Sequence, residues 1–252
     1  MTHPYLRGTA HPRVLAHRGL AVPEDDVAEN SFGAIAAAHA AGAAYVESDC
    51  HLTSDGHVVL FHDDTLDRVT GDPRPIAEVT LRELERLMEE RGGLATLDQA
   101  LEAFPRTRFN LDVKVPTAAG RVGRAVAAHA DRVLITSFSD ERRLAALHAA
   151  GPSRPATSPG SRTIARLVAA VAMRLRPAGM RLLRGLDALQ IPERHGAIRV
   201  LTPRLIDWAH ASDVEVHVWT VNDPKRMLEL VELGVDGVVT DRADVAIETL
   251  TR

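Results

Sequence analysis

The 252-residue chain holds one cysteine, Cys50, so no disulfide can form within it, and a lone thiol suits a reducing compartment. Aromatic residues make up only 4% of it. No apolar run approaches the roughly 20 residues of a membrane span, because arginines break every long one. The opening residues, MTHPYLRGTAHPRVLAHRG, lack the apolar stretch of a signal peptide, so a cytoplasmic location is expected. Positive charge is not in excess: 30 Lys and Arg against 34 Asp and Glu give a formal net charge of -4, which offers no footprint for nucleic acid. No G-x-S-x-G elbow is present to support a serine nucleophile, and no G-x-x-x-x-G-K-[ST] loop to support hydrolysis of a nucleoside triphosphate.

What is present is alternation. Short apolar runs give way to longer helical patterns almost from end to end, in a chain that is 45% hydrophobic and 25% charged. Strands are expected at Val14–His17, Tyr45–Asp49, Phe109–Val115, Val133–Ser137, Pro155–Thr157, Ala188–Ile191, Val214–Thr220 and Gly237–Thr240. Helices fall between them: Ser31 to Ala41 begins within reach of an Asn30 or Ser31 cap, and Thr80 with Glu83 reads as a capping box. Val58–Phe61, reached through Ser54-Asp55-Gly56, is expected to form a hairpin-like extension of the second strand. About eight strand–helix pairs in one composition regime predict a single α/β domain over 1–252, a (β/α)₈ TIM barrel with a small insertion after strand 2.

In such a barrel, functional groups gather where strands end. The first strand ends in His17-Arg18-Gly19, and the second carries Glu47 and Asp49, two residues apart and therefore on one face. Asn110, Asp112 and Lys114 share a face of the third, and the run after strand 2 ends in His62-Asp63. Each group alone has an ordinary explanation: a structural histidine, a solvated strand end, a surface lysine. Their convergence on one mouth points to chemistry. Paired carboxylates are costly to bury without a cation, and oxygen ligands of this kind suit Mg²⁺, Ca²⁺ or Mn²⁺ better than zinc. Arg18 and Lys114 can neutralise a phosphate, and two imidazoles can serve as base and acid.

Taken in order, these residues resemble the glycerophosphodiester phosphodiesterase family. The matching pieces are His17-Arg18-Gly19, Glu29-Asn30-Ser31, Glu47-x-Asp49 leading into Thr53-x-Asp55-Gly56, and Val58-Val59-x-x-His62-Asp63 with Leu66-x-Arg68. Asp112-x-Lys114, Ser137-Phe138, Trp219-Thr220-Val221-Asn222 and the run from Gly234 to Asp241 complete the pattern. The resemblance implies one divalent cation, Mg²⁺ or Ca²⁺ with Mn²⁺ possible, held by Glu47, Asp49 and Asp112. It makes His17 and His62 the catalytic pair, with His17 assigned as base and His62 as acid. Arg18 and Lys114 go to the phosphate, Trp219 packs on the substrate, and Asn30 contacts it. The implied reaction is hydrolysis of a glycerophosphodiester to glycerol 3-phosphate and an alcohol. A lysophospholipase D-like or phospholipase-like enzyme acting on membrane lipid is one alternative, and a binding barrel that has lost its chemistry is another.

Asp112 departs from the pattern, standing where the family usually has Glu, one methylene longer. Cys50 replaces a usual valine and is expected in the core. Ala28 replaces a proline and alters the first loop. His217 reads as a satisfied core histidine, while His51 and His57 are expected in solvent. The acid-free stretch 161–185, interleaving arginines with apolar residues and broken by Pro177 and Gly179, is read as a barrel helix with solvated arginines in preference to a helix lying on a membrane surface.

Overall fold

A computed structural model describes residues 2–250. Its strands are β1 (Arg13–His17), β2 (Tyr45–Leu52), β3 (Val58–Leu60), β4 (Arg108–Val113), β5 (Val133–Thr136), β6 (Ala156–Thr157), β7 (Ala188–Ile191), β8 (Arg194–His195), β9 (Ile198–Arg199), β10 (Glu215–Val218) and β11 (Gly237–Thr240). The helices are α1 (Phe32–Ala40), α2 (Asp67–Thr70), α3 (Leu81–Met88), α4 (Leu97–Ala103), α5 (Pro116–Val126), α6 (Asp140–Ala150), α7 (Ser161–Ala172), α8 (Arg176–Leu183), α9 (Pro203–His210), α10 (Pro224–Glu232) and α11 (Ala243–Leu250). None of them is long and apolar enough to cross a membrane.

Eight strands run in the order β6-β5-β4-β2-β1-β11-β10-β7, all parallel, and make the expected barrel. The seam between β6 and β7 has no strand ladder and is bridged by bonds from the backbone and from side chains, Arg154 to Asp187 among them. Asp187 N donates to Thr157 O at 3.0 Å, Thr157 N to Asp187 Oδ2 at 3.0 Å, and Gln190 N to Ser158 Oγ at 3.0 Å. β3 pairs antiparallel with β2, as the turn signal predicted. The insertion it opens has a small core of its own, built from residues such as Phe61, Leu66, Ile76 and Leu84. Helix starts follow the sequence signals. Thr80 with Glu83 and Thr96 with Gln99 form capping boxes, Ser31 caps α1, and Pro116, Pro203 and Pro224 occupy first turns where no N–H is missed.

The barrel interior is layered. At the base, the turn Pro4–Leu6 closes the opening, Tyr5 packs edge-on against Tyr45, and Arg13 donates to Glu215 at 2.6 and 2.7 Å. His217 is a core histidine as expected, but only half satisfied: its Nε2 lies 3.0 Å from the same carboxylate, while its buried Nδ1 has no hydrogen-bond partner. Leu15, Leu134, Ala156, Ala188 and Val239 fill the middle. Cys50 is fully buried among the residues between sheet and helices, as expected. The top layer is polar and forms the site.

One feature differs from the sequence reading. His51, expected in solvent, is buried, and its Nε2 lies 3.2 Å from the His62 carbonyl; β2 continues to Leu52, which turns this ring beneath the insertion. The stretch 161–185 is broken as Pro177 and Gly179 suggested, into a helical hairpin of α7 and α8, followed after β7 by the small β8–β9 hairpin.

Burial alone would raise the Glu215 carboxyl, but hydrogen bonds from Arg13 and His217 hold it at about 2. Because the folded value lies below the unfolded one, this stabilisation is complete above pH about 4.5 and lost as pH falls toward 2. Glu215→Gln should cost roughly 3–5 kcal/mol at neutral pH by stranding the buried guanidinium. In chemical denaturation the gap to wild type should close between those two pH values; a gap that stays constant contradicts the assignment.

Candidate active site

The register of the sheet decides which side chains meet. His17 on β1 is level with Glu47 on β2, and Glu47 with Asn110 on β4; one step higher, Asp49 is level with Asp112, and Asp112 with Thr136. All point into one cavity of about 750 Å³ at the C-terminal end of the barrel, together with Arg18, His62, Lys114 and Trp219. Eight of the nine residues expected at the site therefore line the same space. Asn30 does not.

Three buried carboxyls dominate the electrostatics. Two like charges about 4 Å apart repel by roughly 4 kcal/mol at an effective dielectric of 20, so adjacent carboxylates need compensation. Lys114 supplies part of it: its Nζ lies 2.9 Å from Asp49 Oδ1 and 3.0 Å from Asp112 Oδ2. Burial would lower the lysine, but the two carboxylates raise it, and it stays charged. Burial would likewise raise Asp49, but Lys114, the Asn30 amide and Arg18 bring it below the usual range. Glu47 is compensated less, by His17 at 3.9 Å and by the Arg18 N–H. Burial, then the charge of Asp49 and to a smaller extent that of Asp112, push it up to about 8. Asp112 is raised by burial, and its Oδ1 is buried with no hydrogen-bond partner. Among the described residues, no three His, Cys, Asp or Glu side chains stand as a ready metal-ligand set.

Each histidine is oriented by a carboxylate. His17 Nδ1 is 2.6 Å from Asp241 Oδ1, and its Nε2 is 3.9 Å from Glu47 Oε2. Burial would lower this imidazole, but the Asp241 bond and the Glu47 charge outweigh it and raise its pKa. Asn222 fixes Asp241 in turn: its Nδ2 donates to Asp241 Oδ2 at 2.7 Å, and its Oδ1 accepts from the Asp241 N–H at 2.9 Å. His62 Nδ1 is 2.6 Å from Asp63 Oδ1, and Asp63 accepts from Arg68 at 2.6 Å. Glu29 then joins Arg68 to Arg18, accepting at 2.5 and 2.8 Å. The first loop is thereby tied to the insertion across the mouth.

The Arg18-Gly19 turn places these groups. Arg18 adopts a φ of 57°, and its N–H donates to Glu47 Oε2 at 3.2 Å. Gly19 has a φ of 82°, and a Cβ there would meet the Ala34 backbone at 2.7 Å, so only glycine lets α1 approach β1 this closely. Asn30, expected on the substrate, is turned away from the cavity. Its Nδ2 donates to Asp49 Oδ2 at 2.9 Å, and its Oδ1 accepts from Ser48 Oγ at 2.5 Å and the Asp49 N–H at 3.3 Å. Both ends of the amide are engaged with β2, so it orients a carboxylate instead. Trp219 meets Phe138 edge-on at 6.0 Å, and together they form an aromatic wall beside Lys114.

Sequence reasoning gave no role to Asp63, Asp241, Asn222 or His51. Three of them carried a signal, since Asp63 adjoins His62, Asp241 ends β11 and Asn222 stands in the quoted Trp219–Asn222 motif; His51 depends on contacts that no spacing announces.

Residues 17–245 match the glycerophosphoryl diester phosphodiesterase family. A probable glycerophosphodiester phosphodiesterase 2 of Mycobacterium tuberculosis is 34% identical over 240 residues, 94% of this chain and 89% of the relative. A glycerophosphodiester phosphodiesterase of Caldanaerobacter subterraneus is 26% identical over 95% of this chain and 98% of its own. Among solved structures, an Oleispira antarctica phosphodiesterase in complex with the product sn-glycerol-3-phosphate superimposes with a TM-score of 0.72 at 22% identity, covering 96% of this chain and 98% of that one. The barrel, the ordered motifs and the match over nearly the whole length agree: the chain belongs to the glycerophosphoryl diester phosphodiesterase family.

Proposed function

We propose that the protein hydrolyses glycerophosphodiesters to glycerol 3-phosphate and an alcohol, with a divalent cation in the carboxylate cluster. The observation that carries this is the pair of carboxylate-oriented histidines, His17 with Asp241 and His62 with Asp63, facing one cavity over Glu47, Asp49 and Asp112. Family membership and the product seen in the Oleispira antarctica structure support the same reaction. A cytoplasmic setting is supported by the single free thiol of Cys50.

The donor set fits a hard cation. Asp112 Oδ1 lacks a partner, and Glu47 is hard to ionise without added positive charge. When bound by Glu47, Asp49 and Asp112, Mg²⁺ or Ca²⁺, with Mn²⁺ a further candidate, supplies charge against the phosphoryl oxygens and lowers the pKa of a nearby hydroxyl. Asp112, although shorter than the usual glutamate, belongs in the set because of its orphaned oxygen.

The residues then divide the work. Arg18 and Lys114 neutralise the phosphate, and Trp219 packs against the organic part of the substrate. An Nδ1–H given to Asp241 leaves His17 Nε2 free to take the proton of the neighbouring glycerol hydroxyl as its oxygen attacks phosphorus. His62, oriented by Asp63 in the same way, protonates the departing alcohol oxygen. Water then opens the cyclic phosphate with the two roles reversed. The apolar wall that α7 gives the cavity favours a second reading, in which the diester carries an acyl chain and the substrate is a lysophospholipid.

Turnover of glycerophosphocholine should be abolished by chelation and restored by Mg²⁺ or Ca²⁺, and His17→Ala or His62→Ala should each reduce it by about two to four orders of magnitude with folding intact. Activity that survives chelation, or both histidine variants, contradicts the assignment. Turnover of lysophosphatidylcholine alone would select the second reading, whereas ligand-induced stabilisation without turnover of any diester would identify a binding module. In the metal-free protein, Asp241→Asn should lower the His17 titration midpoint in an NMR pH series, since the Asp241 bond helps to raise it. An unchanged midpoint would show that Asp241 does not orient this ring.

A further inference from the structure

The hairpin of α7 and α8 has features that the proposed chemistry does not use. Residues 161–185 contain six arginines and no acidic residue. All six (Arg162, Arg166, Arg174, Arg176, Arg181 and Arg184) are exposed, and none makes an ion pair among the described residues. Exposed, unpaired arginines of one sign attract an anionic partner.

The apolar residues of the same hairpin lie on two faces. Leu167, Ala170 and Val171 are buried in the core, which agrees with the barrel-helix expectation. Ile164, Ala165, Val168, Ala169 and Ala172 line the cavity over the length of α7, so this helix forms one wall of the opening. Beyond it, residues 172–177 are all exposed: Met173 (62%) and Leu175 (48%) alternate with Arg174 and Arg176. The β8–β9 hairpin, whose His195 and Ile198 line the same cavity, is also exposed and carries Ile198 (57%) between the flanking bases Arg194 and Arg199. Phe138, exposed by 54%, completes an apolar rim. Four of the eight large hydrophobics exposed among the described residues therefore stand at this opening or on the turn beside it.

We propose that this rim, the α7–α8 turn with the tip of the β8–β9 hairpin, docks on an anionic lipid surface. Apolar tips set between arginines match the boundary between headgroups and acyl chains: the guanidinium groups meet phosphates while Met173, Leu175 and Ile198 enter the apolar layer. The rim is also continuous with the apolar wall of the cavity, so a docked molecule opens its site toward the lipid. Nucleic acid would satisfy the arginines but leave these aliphatic tips without a partner. With a net charge of -4 the attraction is local to this face and therefore sensitive to salt.

The test is sedimentation of the whole protein with vesicles, comparing phosphatidylglycerol mixed into phosphatidylcholine with phosphatidylcholine alone. Wild type should bind the anionic vesicles at low salt and be released as salt rises. Met173→Asp with Leu175→Asp, and separately Arg174→Glu with Arg176→Glu, should each weaken binding by at least about tenfold. All four positions are exposed and outside the site, so folding and the hydrolysis of soluble glycerophosphocholine should be unchanged in both variants. Lys225→Glu on α10, another exposed cation, should bind like wild type. The proposal is overturned if wild type binds anionic vesicles no better than neutral ones, if either rim variant binds as well as wild type, or if duplex DNA is bound in place of vesicles.

Discussion

Glu47, Asp49 and Asp112 sit on neighbouring strands with their carboxyl groups buried in one mouth, where like charges repel and water is scarce to screen them. Much of the surrounding structure compensates for this crowding. Lys114 bridges two of the three, the Asn30 amide and the Arg18 guanidinium favour the charge on Asp49, and the Arg18 N–H reaches Glu47. These groups leave Asp49 ionised but do not suffice for Glu47 or for the orphaned oxygen of Asp112. A site so arranged is short of positive charge, and a cation or the phosphate-associated proton movements it supports would relieve that shortage.

Around the carboxylates, a second set of contacts fixes the histidines. One path runs from Asn222 through Asp241 to His17, the other from Glu29 through Arg68 and Asp63 to His62. Arg18 joins the second path to the carboxylate cluster, because it contacts both Glu29 and Asp49. His51 supports the His62 segment from below. The small insertion after β2 thus has a structural purpose: its own core holds a histidine over a mouth that the barrel strands alone could not complete.

Much of this was legible in the sequence because barrels obey strict periods. Residues 47 and 49, or 110 and 112, must share a face once their segments are strands, and strand ends must meet at one rim, so eight of the nine expected site residues line one cavity. The capping box at Thr80 is local, and such signals depend on neighbours only a turn away. Asn30 was misplaced for the opposite reason. Its position in the first loop was readable, but whether its amide faces the cavity or β2 depends on an Arg18 turn and a Ser48 hydroxyl that no local pattern relates to it. His51 failed similarly, since its burial follows from how the insertion folds back over β2. The break of residues 161–185 was legible at Pro177 and Gly179, but the α7 face that turns to the cavity was not, because it has the same composition as one that packs on a sheet.

The claim on which this account rests is that the carboxylate cluster holds a divalent cation, and calorimetric titration of the metal-free protein with Mg²⁺, Ca²⁺ and Mn²⁺ tests it directly. Wild type should bind at least one of them at a single site, with binding lost in Asp49→Asn and weakened at least about tenfold in Asp112→Asn. Binding of none of the three, or an affinity unchanged by both substitutions, would contradict it.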